Sequence, residues 1–212
     1  MNLYNLIPHI ESQFRRPSGW FGRIIAQKMR RGNLPEFTGM INMLQIGDND
    51  RLLEIGYGPG DSINIICERN KHCMVTGIDF SELMYRQASK RNKTFIKEGR
   101  AKVKLGDFRS FDFNENTYTK VYCVNVIYFW EDLEAPFGKV YELLEKGGTF
   151  GIFMVSGESL RSNDVTNTPV FNRHMIPDVK ACLEKIGFKE IEIIRNENKI
   201  VECYYIFAVK QR

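Results

Sequence analysis

Leu52-Leu53-Glu54-Ile55-Gly56-Tyr57-Gly58-Pro59-Gly60-Asp61 is the stretch on which the fold turns. Its apolar residues Leu52, Leu53 and Ile55 read as a buried strand, its three glycines alternate with single residues, and the amphipathic run Ser62 to Arg69 reads as a helix. Glycine suits such a loop because it reaches positive φ and carries no Cβ to hold a ligand off the backbone. The helix start behind it presents free N–H groups. Strand, glycine loop and helix together are shaped for close contact with a polar ligand. The second apolar run, Met74 to Ile78, ends at Asp79. That places an acid about 20 residues beyond the loop, the spacing at which a carboxylate accepts from a ribose diol. A nucleoside site is the expectation.

Working outward, strands and helices alternate: strand 51–56, helix 61–69, strand 73–79, helix 81–92, strands 101–106 and 119–126, helix 132–145, strand 148–155. Such alternation implies a parallel sheet with helices on both faces. Ser81 followed by Glu82 reads as a helix N-cap with an acid in the first turn. The tail changes style, with a helix from Pro177 to Ile186 stopped by Gly187, a strand 188–195, a polar turn Asn196 to Lys199 and a strand 200–209, together a terminal hairpin.

The pattern Glu54-x-Gly56-x-Gly58-x-Gly60 resembles motif I of the class I S-adenosylmethionine-dependent methyltransferases, and the resemblance extends over roughly residues 48 to 209. It implies an α/β, Rossmann-like three-layer sandwich with a mostly parallel seven-stranded sheet, an antiparallel C-terminal strand and added N-terminal helices. A single domain over 1–212 is expected, with 1–48 as a helical cap and 49–212 as the core. The implied cofactor is S-adenosyl-L-methionine. Gly56, Gly58 and Gly60 would contact its methionyl part and ribose, with Glu54 orienting the loop and Tyr57 beside it. Asp79 would take the ribose hydroxyls, and Phe80 either packs on adenine or belongs to the core. Leu105-Gly106-Asp107-Phe108 matches the segment where an acid accepts from the adenine amino group, with a turn-forming aspartate as the structural alternative. Asn125, in Cys123-Val124-Asn125-Val126-Ile127-Tyr128, corresponds to motif IV and would face the methionyl end.

The rival dinucleotide reading needs a phosphate-compatible loop, and Glu54 would repel a pyrophosphate. An NAD(P)-dependent oxidoreductase is thus the weaker alternative, and a non-catalytic, cofactor-binding regulatory subunit is the other. Motif IV lacks the Asn/Asp-Pro-Pro-Tyr segment for exocyclic base amines, Cys123 lacks the Pro-Cys context for pyrimidine C5 chemistry, and no Asp-Asn pair marks a magnesium site. A small-molecule acceptor remains, methylated by direct in-line displacement. A general base is optional for that chemistry, and its weak candidates are Tyr128, His9 and His174. Aromatic pocket candidates are Tyr4, Trp20, Tyr57, Tyr128, Trp130 and Phe171. The polar stretch Gly157 to Phe171 reads as a long connection at the catalytic edge.

Composition bounds the rest. The 212 residues allow one well-buried domain. The five cysteines form neither a disulfide framework nor a zinc pattern, so no metal is expected. Neither an apolar run of membrane-spanning length nor a signal pattern opens the chain, and a cytoplasmic protein, monomer or homodimer, is expected. The net charge of +4 is concentrated before residue 36, where Arg15, Arg16, Arg23, Lys28, Arg30 and Arg31 meet Glu11 alone, leaving the core near neutral. Nucleic acid is therefore disfavoured as a partner. Residues 1–48 read as helical pieces broken at Pro17-Ser18-Gly19 and at Gly32 to Pro35, with Glu36 to Ile46 as one more helix. Trp20, Phe21, Ile24, Ile25 and Met29 form an apolar face that packs on the sheet domain and serves as a partial lid, in preference to touching a membrane.

Overall fold

The computed structural model describes residues 12–114, 117–163, 166–197 and 201–211. After a helical turn at residues 12–15, the elements are α1 (Gly19–Met43), β1 (Arg51–Ile55), α2 (Asp61–Arg69), β2 (Met74–Asp79), α3 (Glu82–Arg91) and α4 (Lys93–Lys97). They continue as β3 (Ala101–Leu105), β4 (Tyr118–Val124), α5 (Glu134–Leu143), β5 (Leu144–Val155), α6 (Gly157–Arg161), α7 (Ile176–Ile186), β6 (Phe188–Arg195) and β7 (Cys203–Lys210).

All seven strands form one sheet in the order β3-β2-β1-β4-β5-β7-β6. The pairs from β3 across to β5 are parallel, while β7 inserts between β5 and β6 and runs antiparallel to both. The expected terminal hairpin is thus present, and its second strand lies on the inside. Strand alternation sends Leu53, Val121 and Cys123 to one face, where Phe137, Val140, Val179 and Leu183 of α5 and α7 cover them. Leu52, Tyr122 and Val124 go to the other, under Met40, Ile63, Ile66 and Met84 of α1, α2 and α3. Three layers follow directly from the two-residue period of the strands. The chain leaves β1 toward β2 and β3 and then returns to β1's other side as β4. The carboxyl ends of β1 and β4 therefore flank the crevice in which open α/β sheets bind ligands.

Two N-terminal expectations are corrected. Gly32 to Pro35 does not break the chain, because α1 runs 25 residues straight through Pro35. Proline removes one backbone donor, but Ile25 before it and Phe37, Met40 and Ile41 after it are all buried along the helix's inner side. Packing outweighs the local break. Nor does the apolar set around Trp20 form one buried face: Ile25 is 7% exposed, but Trp20 is 74% and Ile24 44% exposed. A third correction concerns the stretch after β5, which opens with the short helix α6, capped by the Ser156 hydroxyl accepting from the Ser159 N–H. No helix among the described residues is long and apolar enough to cross a membrane.

Candidate functional site

A cavity of about 840 Å³ opens at the carboxyl ends of the central strands. Its lining gathers Gly56 and Gly58 after β1, Asp79 and Phe80 after β2, Asp107 and Phe108 after β3, and Asn125 and Val126 after β4. Residues far apart in sequence meet here because each closes a parallel strand at the same end of the sheet.

The glycine loop is held through its own N–H groups, by one backbone carbonyl and one side-chain carboxylate. The Gly56 N–H donates to the Ile78 carbonyl at 2.8 Å, and the Gly58 N–H to Asp79 Oδ2 at 3.0 Å. Gly58 has φ +52, and a Cβ there would meet nothing within 4 Å. A side chain at this position would project into open space instead of a ligand's path being left clear. Gly60 differs: it has φ +78, and a Cβ would come within 2.7 Å of both Ala88 and Asn92, so its bareness lets α3 pack against the loop. Asp79 Oδ1 also accepts from the Ser81 N–H at 2.8 Å. Burial pushes the Asp79 carboxyl up to about 6 despite those two donors. After β3, Asp107 pairs with Arg109 at 2.6 Å, and the guanidinium holds its carboxyl below the usual carboxylate range.

The opposite wall comes from α1 and the segment before it, which contribute Phe14, Arg15, Arg16, Arg30, Asn33 and Phe37. Side-chain links fasten this wall to the start of α2 and to the strand ends. Arg30 Nε donates to both oxygens of Asp61 at 2.9 Å, and Arg91 reaches the same carboxylate at 2.7 Å. Asn125 Nδ2 donates to Asn33 Oδ1 at 3.2 Å. Asn125, at φ +59, is oriented from behind by the Tyr128 hydroxyl, which donates to its Oδ1 at 2.8 Å and accepts from the Val155 N–H. The order of donors fixes the amides, and it leaves the Asn33 N–H groups as donors on the cavity wall. Arg16 lies over the Phe80 ring at 5.9 Å, and the Ser81 hydroxyl donates to the Pro17 carbonyl at 2.9 Å.

Of the residues expected to bind a cofactor, Gly56, Gly58, Asp79, Phe80, Asp107, Phe108 and Asn125 line the cavity. Glu54, Tyr57 and Gly60 stand behind it. Glu54 is 1% exposed, with both oxygens 2.5 Å from the Ser62 hydroxyl in the first turn of α2. Burial, only partly offset by the Ser62 and Tyr122 hydroxyls, raises its carboxyl to about 7. It anchors the helix start from beneath, so direct repulsion of a pyrophosphate is not its role. Tyr57 is fully buried and donates to the Lys104 carbonyl at 3.0 Å. Tyr128 is buried behind Asn125. His174 Nε2 sits 2.9 Å from the Trp130 carbonyl, away from the lining. His9 and Tyr4 lie outside the described residues. Of the other aromatic candidates Trp130 lines the cavity, whereas Trp20 and Phe171 do not.

Sequence reasoning missed Arg30, Asn33, Phe37 and Arg109. For Arg109 the Asp-x-Arg spacing was a usable signal. Asn33 and Phe37 were hidden by the mistaken break, since only a continuous helix puts Arg30, Asn33 and Phe37 on one side at three- and four-residue steps.

Residues 52–148 match a family model described as a methyltransferase domain. YdaC of Bacillus subtilis, an uncharacterized methyltransferase, is 33% identical over 153 residues, covering 72% of this chain and 79% of that protein. A sterol 24-C-methyltransferase of Kluyveromyces lactis is 28% identical over 108 residues, which are 51% of this chain but 29% of the sterol enzyme. Among solved structures, phosphoethanolamine N-methyltransferase 2 of Haemonchus contortus in complex with S-adenosyl-L-methionine superposes with a TM-score of 0.71 at 16% identity. The match covers 84% of this chain and 53% of that one, a likeness of fold.

Proposed function

The chain belongs to the methyltransferase domain family, among the class I S-adenosylmethionine-dependent methyltransferases, and we propose that its cavity holds S-adenosylmethionine along the strand ends and presents a small-molecule acceptor beneath α1. The observation that carries this reading is that one cavity collects Gly56, Gly58, Asp79, Asp107 and Asn125 from four strand ends. The residues fit the cofactor's chemistry. Asp79 is a half-buried acceptor that takes two backbone N–H groups, which suits a diol. Phe80 and Phe108 offer apolar surface for an adenine, with Asp107 as acceptor for its amino group. Arg30, whose Nε is committed to Asp61, has further N–H groups for the methionyl carboxylate.

When bound, S-adenosylmethionine supplies a methyl group already activated by its sulfonium, so the protein's work is alignment and exclusion of water. Phe14, Phe37, Phe129 and Val170 line the cavity as apolar cover. Asn33 and Asn125 present amide donors among them, which favours an acceptor with an apolar body and an oxygen-bearing head. His174 is engaged with a carbonyl, and Tyr128 spends its proton on Asn125. The described lining thus orients an acceptor without needing either as a base.

The test is incubation with methyl-tritiated S-adenosylmethionine and a panel of small alcohols, acids, thiols and amines, followed by extraction. Label in an extracted product with matching S-adenosylhomocysteine is the expected result. Cofactor binding with no turnover across the panel would turn the reading toward a non-catalytic binding member.

A further inference from the structure

Helix α1 is apolar on two sides. Its inner side packs on the sheet domain and lines the cavity, while Trp20, Ile24 and Leu34 recur at helical spacing on the outer side. These three are 74%, 44% and 41% exposed. The exposed Arg31 and Gln27 fall among them on the same side, and the exposed Arg23 and Lys28 stand at its edges. Between Ser12 and Met43 the sequence holds six Lys and Arg and one acid, Glu36, and Glu36 is buried at 5% exposure. An outward side that carries a tryptophan, two aliphatic residues and several cations, with no exposed acid on the helix, has the composition of a helix lying in a lipid headgroup region.

We propose that the outer side of α1 docks on an anionic lipid surface, with Trp20, Ile24 and Leu34 entering the headgroup layer and Arg23, Lys28 and Arg31 meeting lipid phosphates. Charge selects this occupant. A second copy on the same face would bring two sets of cations together, and a polyanion without an apolar phase would leave Ile24 and Leu34 in water. Because Arg30, Asn33 and Phe37 line the cavity from the inner side of the same helix, docking would set the cavity beside the lipid. The proposal does not depend on methyl transfer, since its test uses neither cofactor nor turnover.

The chain has two tryptophans, and Trp130 is 5% exposed, so a change in tryptophan emission on docking reports Trp20. Full-length protein is mixed with phosphatidylcholine vesicles containing or lacking phosphatidylglycerol, and co-sedimentation and emission are read. Binding to the anionic vesicles with a blue shift, little binding to phosphatidylcholine alone, and weakening by salt are expected. The triple variant R23Q/K28Q/R31Q should bind about a hundredfold more weakly, roughly fivefold per cation removed. Trp20→Ser should lose the shift and bind more weakly while its circular dichroism stays that of the parent. Absence of binding to phosphatidylglycerol vesicles, an unshifted emission, or wild-type binding by the triple variant would overturn the proposal. So would a concentration-dependent dimer in sedimentation velocity that Trp20→Ser abolishes, which would give the face to a second copy.

Discussion

The strand-end wall of the cavity and the α1 wall face each other across the same space, but they are held by different forces. On the strand side, the sheet ladder and the Gly56 bond to the Ile78 carbonyl set the loop's path, with the Asp79 carboxylate as a side-chain tie to the Gly58 N–H. On the helix side, position depends on side chains reaching across, Arg30 to Asp61 and Asn33 to Asn125. A wall set mainly by the sheet, with Asp79 and Glu54 as its side-chain ties, is the stiffer of the two, and it suits a part of the ligand that never varies. A wall held by a few side-chain links can shift at small energetic cost, and apart from Arg30 it suits an acceptor and the opening that admits it.

The largest effect that would sharpen this contrast concerns the buried anchor of the strand side. Glu54 titrates at about 7 when folded against 4.5 ordinarily, so the folded chain binds the extra proton between those values. Its contribution to stability is therefore highest below 4.5 and falls as pH rises to about 7, by up to ~3 kcal/mol. Asp79 acts with the same sign from 3.8 to about 6. Denaturant titrations of Glu54→Gln should lose the decline between pH 6 and 7 that the parent shows, and an unchanged slope there would remove Glu54 as its source. Next comes the link between the walls. Asp61→Ala leaves Arg30 and Arg91 without their shared carboxylate and should cost about 2 kcal/mol of stability, measured by chemical denaturation. A cost near zero would mean that the Arg30–Asp61 link does not hold α1 in place. The smallest effect tests the division of labour. Asn33→Ala removes one neutral hydrogen bond, about 1 kcal/mol, and should lower kcat/KM for the acceptor several-fold with cofactor affinity nearly unchanged. A comparable loss of cofactor affinity would show that the two walls do not divide the ligands.

The same contrast explains what could be read from the sequence. Strand ends announce themselves where the strand is a buried apolar run, and Gly56 and Asp79 were found that way; Asp107 and Asn125 came from the family resemblance, and all four line the cavity. Which loop residues face the cavity and which stand behind it was not readable. Glu54, Tyr57 and Gly60 share the loop's sequence signal, but the turn of the backbone sends their side chains or packing surfaces inward. The α1 wall was the least legible. Gly32 to Pro35 carries a strong local break signal, and only burial of Phe37, Met40 and Ile41 against the sheet overrides it. Local propensity does not contain that tertiary contact. The exposure of Trp20 was hidden likewise, since a helix with apolar residues on two sides gives no sequence cue as to which side faces the core.

The most direct test is calorimetric titration of the parent and of Asp79→Ala with S-adenosylmethionine, with NAD(H) as the control ligand. A cofactor site at the strand ends predicts micromolar binding by the parent, no response to NAD(H), and an affinity loss in Asp79→Ala of about 1–3 kcal/mol, the range for charge-assisted hydrogen bonds. Equal affinity of the two proteins would remove Asp79 from the site, and a parent that binds NAD(H) or neither ligand would contradict the assignment of the cavity.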